Sequence, residues 1–348
     1  MSLAPIILFV YNRPWHTQQT VEALQKNELA AESDLFIFAD GPKPNASEEC
    51  LANISKVRNY IHKIDGFKSI TIEEAHENKG LANSVITGVT KIINQFDKVI
   101  VVEDDIVTHP FFLRFMNEAL DFYLDDERIY SIGAFMDDII IPNNYHNDVF
   151  VCRRIETWGW ATWQDRWNLA EWDIDKYYIL KHPTRKEIKR LCRGGDDLWP
   201  LLQMQASGKI DSWAARWQYN LTINNGLCLR PIWTFVNNIG MDGSGTHCGN
   251  DINCNSYPPP QKNISVWDSH GIPSTPIYNH PVYNLQMSAG VVEHILLIEN
   301  LQRHFKRNKP PSFSWSYFKH CIKKIITRAF SFHHNTDIQQ DSTDTADT

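Results

Sequence analysis

The first 135 residues alternate short apolar runs with stretches of helical periodicity, and this alternation restricts the possible folds more than any other feature. Between the apolar runs, hydrophobic residues recur at helical spacing. The run at 99–102 contains no polar residue, as expected of a strand buried on both faces. Such alternation predicts an α/β fold with a mostly parallel central sheet and flanking helices. The predicted strands lie at 6–11, 34–39, 68–72, 99–102 and 129–134.

The character of the sequence changes three times and predicts four segments. Residues 1–135 form the alternating half, and residues 136–300 are richer in tryptophan, glycine, asparagine and proline, which predicts a loop-rich second lobe. Residues 301–332 are basic. Residues 333–348 are rich in serine, threonine and aspartate, so we expect this end of the chain to be disordered.

The composition excludes several classes of protein. A chain of 348 residues with 43% hydrophobic residues can bury a core, and its formal charge of −7 excludes a generally basic nucleic-acid binder. No apolar run approaches the roughly 18 residues of a membrane-spanning helix. The seven cysteines lack paired spacing, and the first residues lack the pattern of an export signal. We therefore expect reduced thiols and a cytoplasmic location.

Three consecutive carboxylates, Glu103, Asp104 and Asp105, directly follow the predicted buried strand 99–102. The carboxyl ends of strands in open α/β sheets face the ligand crevice. Three like charges packed there are unfavourable unless a cation is bound, and hard oxygen ligands suit Mg²⁺ or Mn²⁺. The pattern predicts a metal site that bridges the protein to phosphate oxygens. An acidic turn capping the helix that starts near Pro110 is the alternative.

Polar residues at other strand ends agree with a phosphate-containing ligand. Arg13 follows the first strand, where it could hold a phosphate, and Asp40 follows the second, where it could accept hydrogen bonds from a base or ribose. Lys79 precedes a helix that opens at Gly80, and helix N-termini favour anions. Each residue alone fits a surface turn equally well, but together they predict a nucleotide site.

With these residues in place, the chain resembles the GT-A nucleotide-sugar glycosyltransferases. More narrowly, it resembles bacterial polysaccharide glycosyltransferases akin to the animal N-acetylglucosaminyltransferase that initiates complex N-glycans. The resemblance covers roughly residues 5–250. It implies a Rossmann-like GT-A fold with a nucleotide-sugar-binding half and an acceptor-binding, catalytic half. The motifs that carry it are FVYNRP (9–14), FADG (38–41), NKG (78–80), VVEDD (101–105), IGAF (132–135), WGW (158–160), DSWAARW (211–217) and NIGMDGSGTH (238–247).

The resemblance also implies roles for single residues. Asp105 would ligate the metal, Mn²⁺ or Mg²⁺. Thr246 and His247 match the loop that closes over the donor diphosphate, and His247 is a second candidate metal ligand. The other donor-binding residues that we predict are Arg13, Asp40, His76, Asn78, Lys79, Glu103 and Asp104.

An inverting transfer needs a carboxylate that takes the proton of the acceptor hydroxyl. The resemblance implies that this base belongs to a pair of acids immediately before a tryptophan. Here the matching pair is Asp211 and Ser212 before Trp213, so Asp211 is the one acid that the sequence offers. Asp211 could instead be the N-cap of a helix over 213–223. Asp196 and Asp197, after two glycines, are further candidates for the base.

Tryptophans cluster after residue 157, and most of them are expected in the core. We predict that Trp160 contacts the acceptor or the donor sugar. Glu156 could bind sugar hydroxyls in the acceptor site, or pair with Arg153 or Arg154 on the surface. The glycine-rich loop 240–249 fits a lid that orders over the substrate.

Residues 315–330 form a basic amphipathic helix in this interpretation, with apolar residues on one face and lysines mostly elsewhere. Such a helix favours an anionic membrane surface. Packing on the protein body or on a second subunit is the alternative, so an oligomer is compatible with the sequence.

The sequence therefore predicts an inverting, metal-dependent glycosyltransferase in bacterial surface polysaccharide synthesis. It would move a sugar from a nucleotide-sugar donor, a UDP-sugar, to a hydroxyl of a glycan or lipid-linked glycan, at the inner face of the plasma membrane. A sugar nucleotidyltransferase is one alternative, although residues 11–14 lack the glycine-rich loop of that class. A non-catalytic carbohydrate-binding protein is the other, and it would leave the three carboxylates without a role.

Overall fold

The computed structural model of the protein describes residues 2–136 and 148–240, together with Asp242 and Ser244. The predicted donor-loop residues Thr246 and His247 lie outside the described residues. The amphipathic segment 315–330 and the polar end 333–348 also lie outside them.

Eight of the described strands form one mixed sheet, and six of these eight run in the same direction. Their order across the sheet is β3-β2-β1-β4-β8-β6-β9-β7, with β8 and β7 antiparallel to their neighbours. This confirms the predicted α/β fold with a mostly parallel sheet. The strands are β1 (Ile6–Val10), β2 (Asp34–Ala39), β3 (Ser69–Glu74), β4 (Lys98–Glu103), β6 (Ile129–Gly133), β7 (Val149–Cys152), β8 (Trp160–Trp163) and β9 (Leu227–Pro231).

Helices flank this sheet, and local sequence signals explain where several of them begin. Pro14 starts the first helix, because its fixed φ suits the first helical position. Ser47 caps the second helix by accepting a hydrogen bond from the backbone N–H of Cys50. None of the described helices has the length and apolar character needed to cross a membrane. The helices are α1 (Pro14–Gln25), α2 (Glu48–Ile61), α3 (Leu81–Phe96), α4 (Phe112–Phe122), α5 (Gln164–Asn168), α6 (Tyr178–Lys181), α7 (Arg185–Leu191), α8 (Leu198–Ala206) and α9 (Trp213–Ile223).

The strand order reverses between β1 and β4. From β1 the chain proceeds to β2 and then β3 on one side, and it returns to β4 on the other side of β1. The four residues at 99–102 in β4 are completely buried, as their apolar run predicts. In open α/β sheets, ligands bind outside the carboxyl ends of the strands at such a reversal. The acidic triplet begins at this end of β4.

The second half of the chain supplies β7, β8 and β9 to the same sheet, so residues on both sides of position 136 share one core. Trp160 of β8 stacks on Trp213 of α9, with ring centroids 4.9 Å apart, and on Trp167 of α5 at 5.7 Å. Trp217 of α9 packs against Trp167 at 5.1 Å. These rings bind α5 and α9 to the sheet.

A second, two-stranded sheet lies next to the acidic triplet. Its strands, β5 (Ile106–Thr108) and β10 (Val236–Asn238), pair antiparallel, with Asn238 opposite Ile106. The pairing extends by one hydrogen bond from the backbone N–H of Ile239 to the carbonyl of Asp105, at 2.9 Å. It therefore brings Gly240 against the side chain of Asp105.

Candidate functional site

A cleft of about 420 Å³ opens at the carboxyl ends of β1, β2 and β4. The start of α3 and the residues before α9 complete its wall. The side chains that line it carry both signs of charge. Its charged residues are Arg13, Asp40, Lys43, Glu103, Asp104, Asp105, Lys209 and Asp211.

Arg13 forms ion pairs with two carboxylates of the triplet. Its guanidinium bonds to Asp104 through Nη2 and Nε, and Nη2 lies 3.0 Å from Oδ2 of Asp105. Burial would lower the pKa of Arg13, but the charge of Asp104 outweighs it and the pKa is raised. Arg13 thus supplies a positive charge that the sequence analysis expected only from a bound cation. Three adjacent carboxylates are compatible with the fold because of this pairing.

Asp104 is the most enclosed of the three carboxylates, with 5% of the residue exposed. The hydroxyl of Thr20 in α1 donates to its backbone carbonyl at 2.8 Å, which ties the end of β4 to α1. Burial raises the pKa of Asp104, although the charge of Arg13 opposes this. The negative charge of Asp104 therefore depends on its pairing with Arg13.

Glu103 is the last residue of β4 and reaches the cleft. Burial raises the pKa of Glu103 to about 8, and the charges of Asp105 and Asp104 add to this effect. The side chain of Trp213, at the start of α9, opposes part of this rise in the pKa of Glu103.

The alternative interpretation of the triplet, a cap for the following helix, is wrong. That helix, α4, begins at Phe112, and its N-cap residue Phe111 makes no side-chain capping bond. Asp104 and Asp105 pair with Arg13 instead.

Asp40 is positioned to hold the start of α3. Its carboxylate accepts hydrogen bonds from the backbone N–H groups of Gly41, Lys79 and Gly80, at 2.8 to 3.0 Å. The side-chain amide of Asn78 donates to the same carboxylate at 3.0 Å. Asp40 lines the cleft, but these four donors occupy its oxygens, so its observed contacts are those of a turn.

The donor-binding residues predicted just before α3 do not all lie in the cleft. Asn78 lines the cleft, and its side chain bridges Asp40 and the carbonyl of Gly41. Lys79 has an exposed side chain and contributes its backbone N–H to the turn. His76 is exposed and is not among the residues that line the cleft.

Asp211 lies in the cleft wall, and the structure excludes the alternative that it caps α9. The cap is Ser212, whose hydroxyl accepts from the backbone N–H of Ala215 at 3.2 Å. Asp211 pairs with Arg216, and 54% of its side chain is exposed. A carboxylate that is accessible from the cleft can accept a proton from a bound hydroxyl.

The two further candidates for the base, Asp196 and Asp197, do not line the cleft. Both oxygens of Asp197 accept from Arg154, each at 2.8 Å. Of the three candidate bases, Asp211 is the one that lines the cleft.

The predicted acceptor residues, Glu156 and Trp160, also lie away from the cleft. Glu156 forms an ion pair with the buried Arg230 of β9, at 3.0 Å. Trp160 is completely buried in the tryptophan cluster. These positions give no support to an acceptor contact by either side chain.

Sequence reasoning missed several residues of the cleft. Lys43 and Lys209 line the cleft and add positive charge to it. Gly240 was included only as part of a lid, yet its backbone touches the acidic triplet. A Cβ built at Gly240 would overlap Oδ2 of Asp105, so a larger residue there would have to displace the carboxylate.

The carboxylates partly fit the predicted divalent cation. Asp105 meets Arg13 through Oδ2, and within the described residues no hydrogen bond engages its Oδ1. In that part of the chain, no three His, Cys, Asp or Glu side chains form a complete protein metal site. Mg²⁺ commonly takes one or two carboxylates and completes its coordination with water and substrate phosphates. The donor set therefore fits an ion that is shared with a phosphate-containing substrate.

No protein-family model and no curated protein matches the sequence. The structure is similar to the mannosyltransferase PcManGT from Pyrobaculum calidifontis in complex with GDP-Man and Mn²⁺, with 10% identity and a TM-score of 0.31, over 47% of this chain and 45% of that one. It is similar to S. aureus TarS, with 10% identity and a TM-score of 0.34, and the alignment covers 67% of this chain and 36% of that one. A UDP-glucose pyrophosphorylase complexed with UDP-glucose aligns with 12% identity and a TM-score of 0.35, and the alignment covers 67% of this chain and 91% of that one. The chain thus spans less than half the length of the first two proteins, and alignments at this level assign no activity to it.

Proposed function

We propose that the protein is an inverting, divalent-metal-dependent glycosyltransferase. It moves a sugar from a nucleotide-sugar donor, a UDP-sugar, to a hydroxyl of a glycan or lipid-linked glycan in bacterial surface polysaccharide synthesis. The observation that carries the proposal is the acidic end of β4, which opens with Arg13 into a cleft at the reversal of the strand order. This is where open α/β sheets bind nucleotides.

The cleft has the charges that a diphosphate needs. Arg13, Lys43 and Lys209 reach its wall. The backbone N–H groups at the start of α3 add the positive end of a helix dipole. The buried Nη1 of Arg13 has no hydrogen-bond partner within the described residues, and a phosphate oxygen would satisfy it.

Asp105 and Glu103 would hold the divalent cation, because both line the cleft and offer hard oxygen ligands. When bound, the cation supplies positive charge for a diphosphate as its bond to the sugar breaks. Asp104 would keep Arg13 oriented beside that diphosphate. Asp211 would accept the proton of the attacking hydroxyl, because its carboxylate is accessible in the cleft wall just before α9.

The two alternative functions differ in what supports them. A carbohydrate-binding module would stack sugars on exposed rings of the tryptophan cluster, but Trp160, Trp163, Trp167 and Trp217 of that cluster are all at most 1% exposed. A sugar nucleotidyltransferase would use a nucleotide cleft of the same kind. The loop after β1, residues 11–14, has no glycine that would let its backbone wrap a triphosphate.

Calorimetric titration with UDP-sugars, with and without Mn²⁺, tests the proposal. We expect Mn²⁺ to be required for tight donor binding and Asp105→Asn to weaken that binding about 10–100-fold, the effect of losing one charged contact. Asp126→Asn is the control, because Asp126 pairs with Arg128 and does not line the cleft. Unchanged donor affinity in Asp105→Asn would refute the metal role. Release of pyrophosphate from UTP and a sugar phosphate would instead identify a nucleotidyltransferase.

A further inference from the structure

The position of Arg13 poses an electrostatic problem for the proposed metal site. Its guanidinium lies against both Asp104 and Asp105, the carboxylates next to the predicted ion. Only 16% of the Arg13 side chain and 13% of the Asp105 side chain are exposed, so water screens their charges poorly. A doubly charged cation on Asp105 would therefore repel the guanidinium strongly.

Arg13 already occupies Oδ2 of Asp105, so a cation held by the same carboxylate would lie close to the guanidinium. Gly240 packs against the pair, since a Cβ built there would overlap Oδ2 of Asp105 and lie 2.9 Å from Nη1 of Arg13. The backbone of Arg13 is itself fixed, because its carbonyl accepts from the N–H of Thr17 at 3.0 Å and from the Thr17 hydroxyl at 2.9 Å. The Arg13 side chain has several rotatable bonds, so it would move to relieve the repulsion.

We propose that Arg13 is an internal counter-ion that competes with the divalent cation for Asp105 and transfers its guanidinium to a donor phosphate when cation and donor bind together. The inference rests on the proposed function and adds a coupling that the function does not require. The diphosphate brings negative charge that satisfies both cations at once. Cation and donor therefore strengthen each other's binding, as linkage requires.

The proposal predicts effects of opposite sign for one substitution. In donor-free protein, Arg13→Gln leaves Asp104 and Asp105 without their counter-ion, so Mn²⁺ affinity should rise on the order of tenfold or more. With saturating Mn²⁺, the same variant lacks its phosphate contact, so donor affinity should fall by a similar factor. Electron paramagnetic resonance of free Mn²⁺ measures the first quantity, and calorimetry with a UDP-sugar measures the second.

If Arg13→Gln is less stable than the unchanged protein, its thermal unfolding provides a second test. Mn²⁺ should raise the unfolding temperature of Arg13→Gln more than that of the unchanged protein, because the ion replaces the missing charge. Arg13→Lys keeps one charge but not the bidentate fork, so its Mn²⁺ affinity should lie between the two. Arg114→Gln is the matched control, since Arg114 pairs with Glu28 and Glu118 outside the cleft and should leave both affinities unchanged.

The failure of this inference is distinguishable from the failure of the proposed function. If the unchanged protein binds Mn²⁺ and donor together, but donor-free Mn²⁺ affinity is the same or lower in Arg13→Gln and Arg13→Lys, the competition is refuted. If the unchanged protein binds no UDP-sugar with Mn²⁺, the proposed function itself fails.

Discussion

Asp211 and Ser212 are neighbours in the chain, but their side chains have different partners. Ser212 caps α9 through the backbone N–H of Ala215. Asp211 pairs with Arg216 and stays accessible from the cleft. At the scale of residues, the helix cap and the candidate base are therefore separable by mutation.

We predict that Asp211→Asn lowers sugar transfer about 10²–10⁴-fold, the usual contribution of a general base, while donor affinity stays the same. Its stability should hardly change, because an exposed ion pair contributes little. Ser212→Ala is the matched variant, and it should lower the free energy of unfolding by about 1 kcal/mol through loss of the cap. Transfer assays, donor titration and urea unfolding measure these effects. A loss of donor affinity in Asp211→Asn would mean that this residue shapes the cleft instead.

At the scale of elements, the β5–β10 pair controls how closely Gly240 approaches the acidic triplet. His109 follows β5, and its backbone N–H donates to the carbonyl of Phe235 at 2.8 Å. The buried imidazole accepts from the backbone N–H of Phe111 through Nδ1, at 3.2 Å. Burial lowers the pKa of His109 from its ordinary value of 6.5 to about 4. The ring is therefore neutral in the folded protein at neutral pH.

The lowered pKa of His109 makes the stability of the folded protein depend on pH. Between pH 6.5 and about 4 the unfolded chain binds a proton at His109 that the folded protein does not, so stability should fall as the pH is lowered through this window. His109→Asn keeps an acceptor for Phe111 but does not titrate. Urea unfolding of metal-free protein at pH 7 and pH 5 should show a smaller loss of stability for this variant. Equal losses in both proteins would show that His109 does not contribute to the pH dependence.

At the scale of the whole molecule, the buried tryptophans join the two halves of the chain. Trp160 belongs to β8 in the middle of the sheet, and its neighbours belong to α5 and α9. Because the residues just before α9 line the cleft, this core also positions one wall of the cleft. The cluster therefore stabilises the fold and positions the site at the same time.

We predict that Trp160→Phe lowers the free energy of unfolding by about 1–3 kcal/mol, the usual range for a core substitution, and leaves glycan affinity unchanged. Trp15→Ala is the surface control, since Trp15 is 57% exposed and should change stability by no more than about 0.5 kcal/mol. Thermal unfolding and glycan titration measure both effects. Weaker glycan binding by Trp160→Phe, without a loss of stability, would restore the acceptor role that the sequence suggested.

The sequence by itself determined the features that arise from near neighbours in the chain. The apolar run 99–102 predicted a strand with both faces buried, and the residues after it predicted a charged strand end. The bounds 213–223 of α9 and the Ser47 cap of α2 follow from helical spacing and capping chemistry. These signals are readable because hydrogen bonds within a helix and the alternation within a strand depend on local residues.

Only the tertiary structure decided which distant groups meet. Arg13 and Asp104 are 91 residues apart in the chain, and no local pattern shows that the arginine neutralises the carboxylates. The burial of Trp160 and the insertion of β8, antiparallel, between β4 and β6 depend on how the second half of the chain packs on the sheet. Such contacts result from competition among many possible pairings for space and charge in one core, and sequence spacing carries no information about that competition.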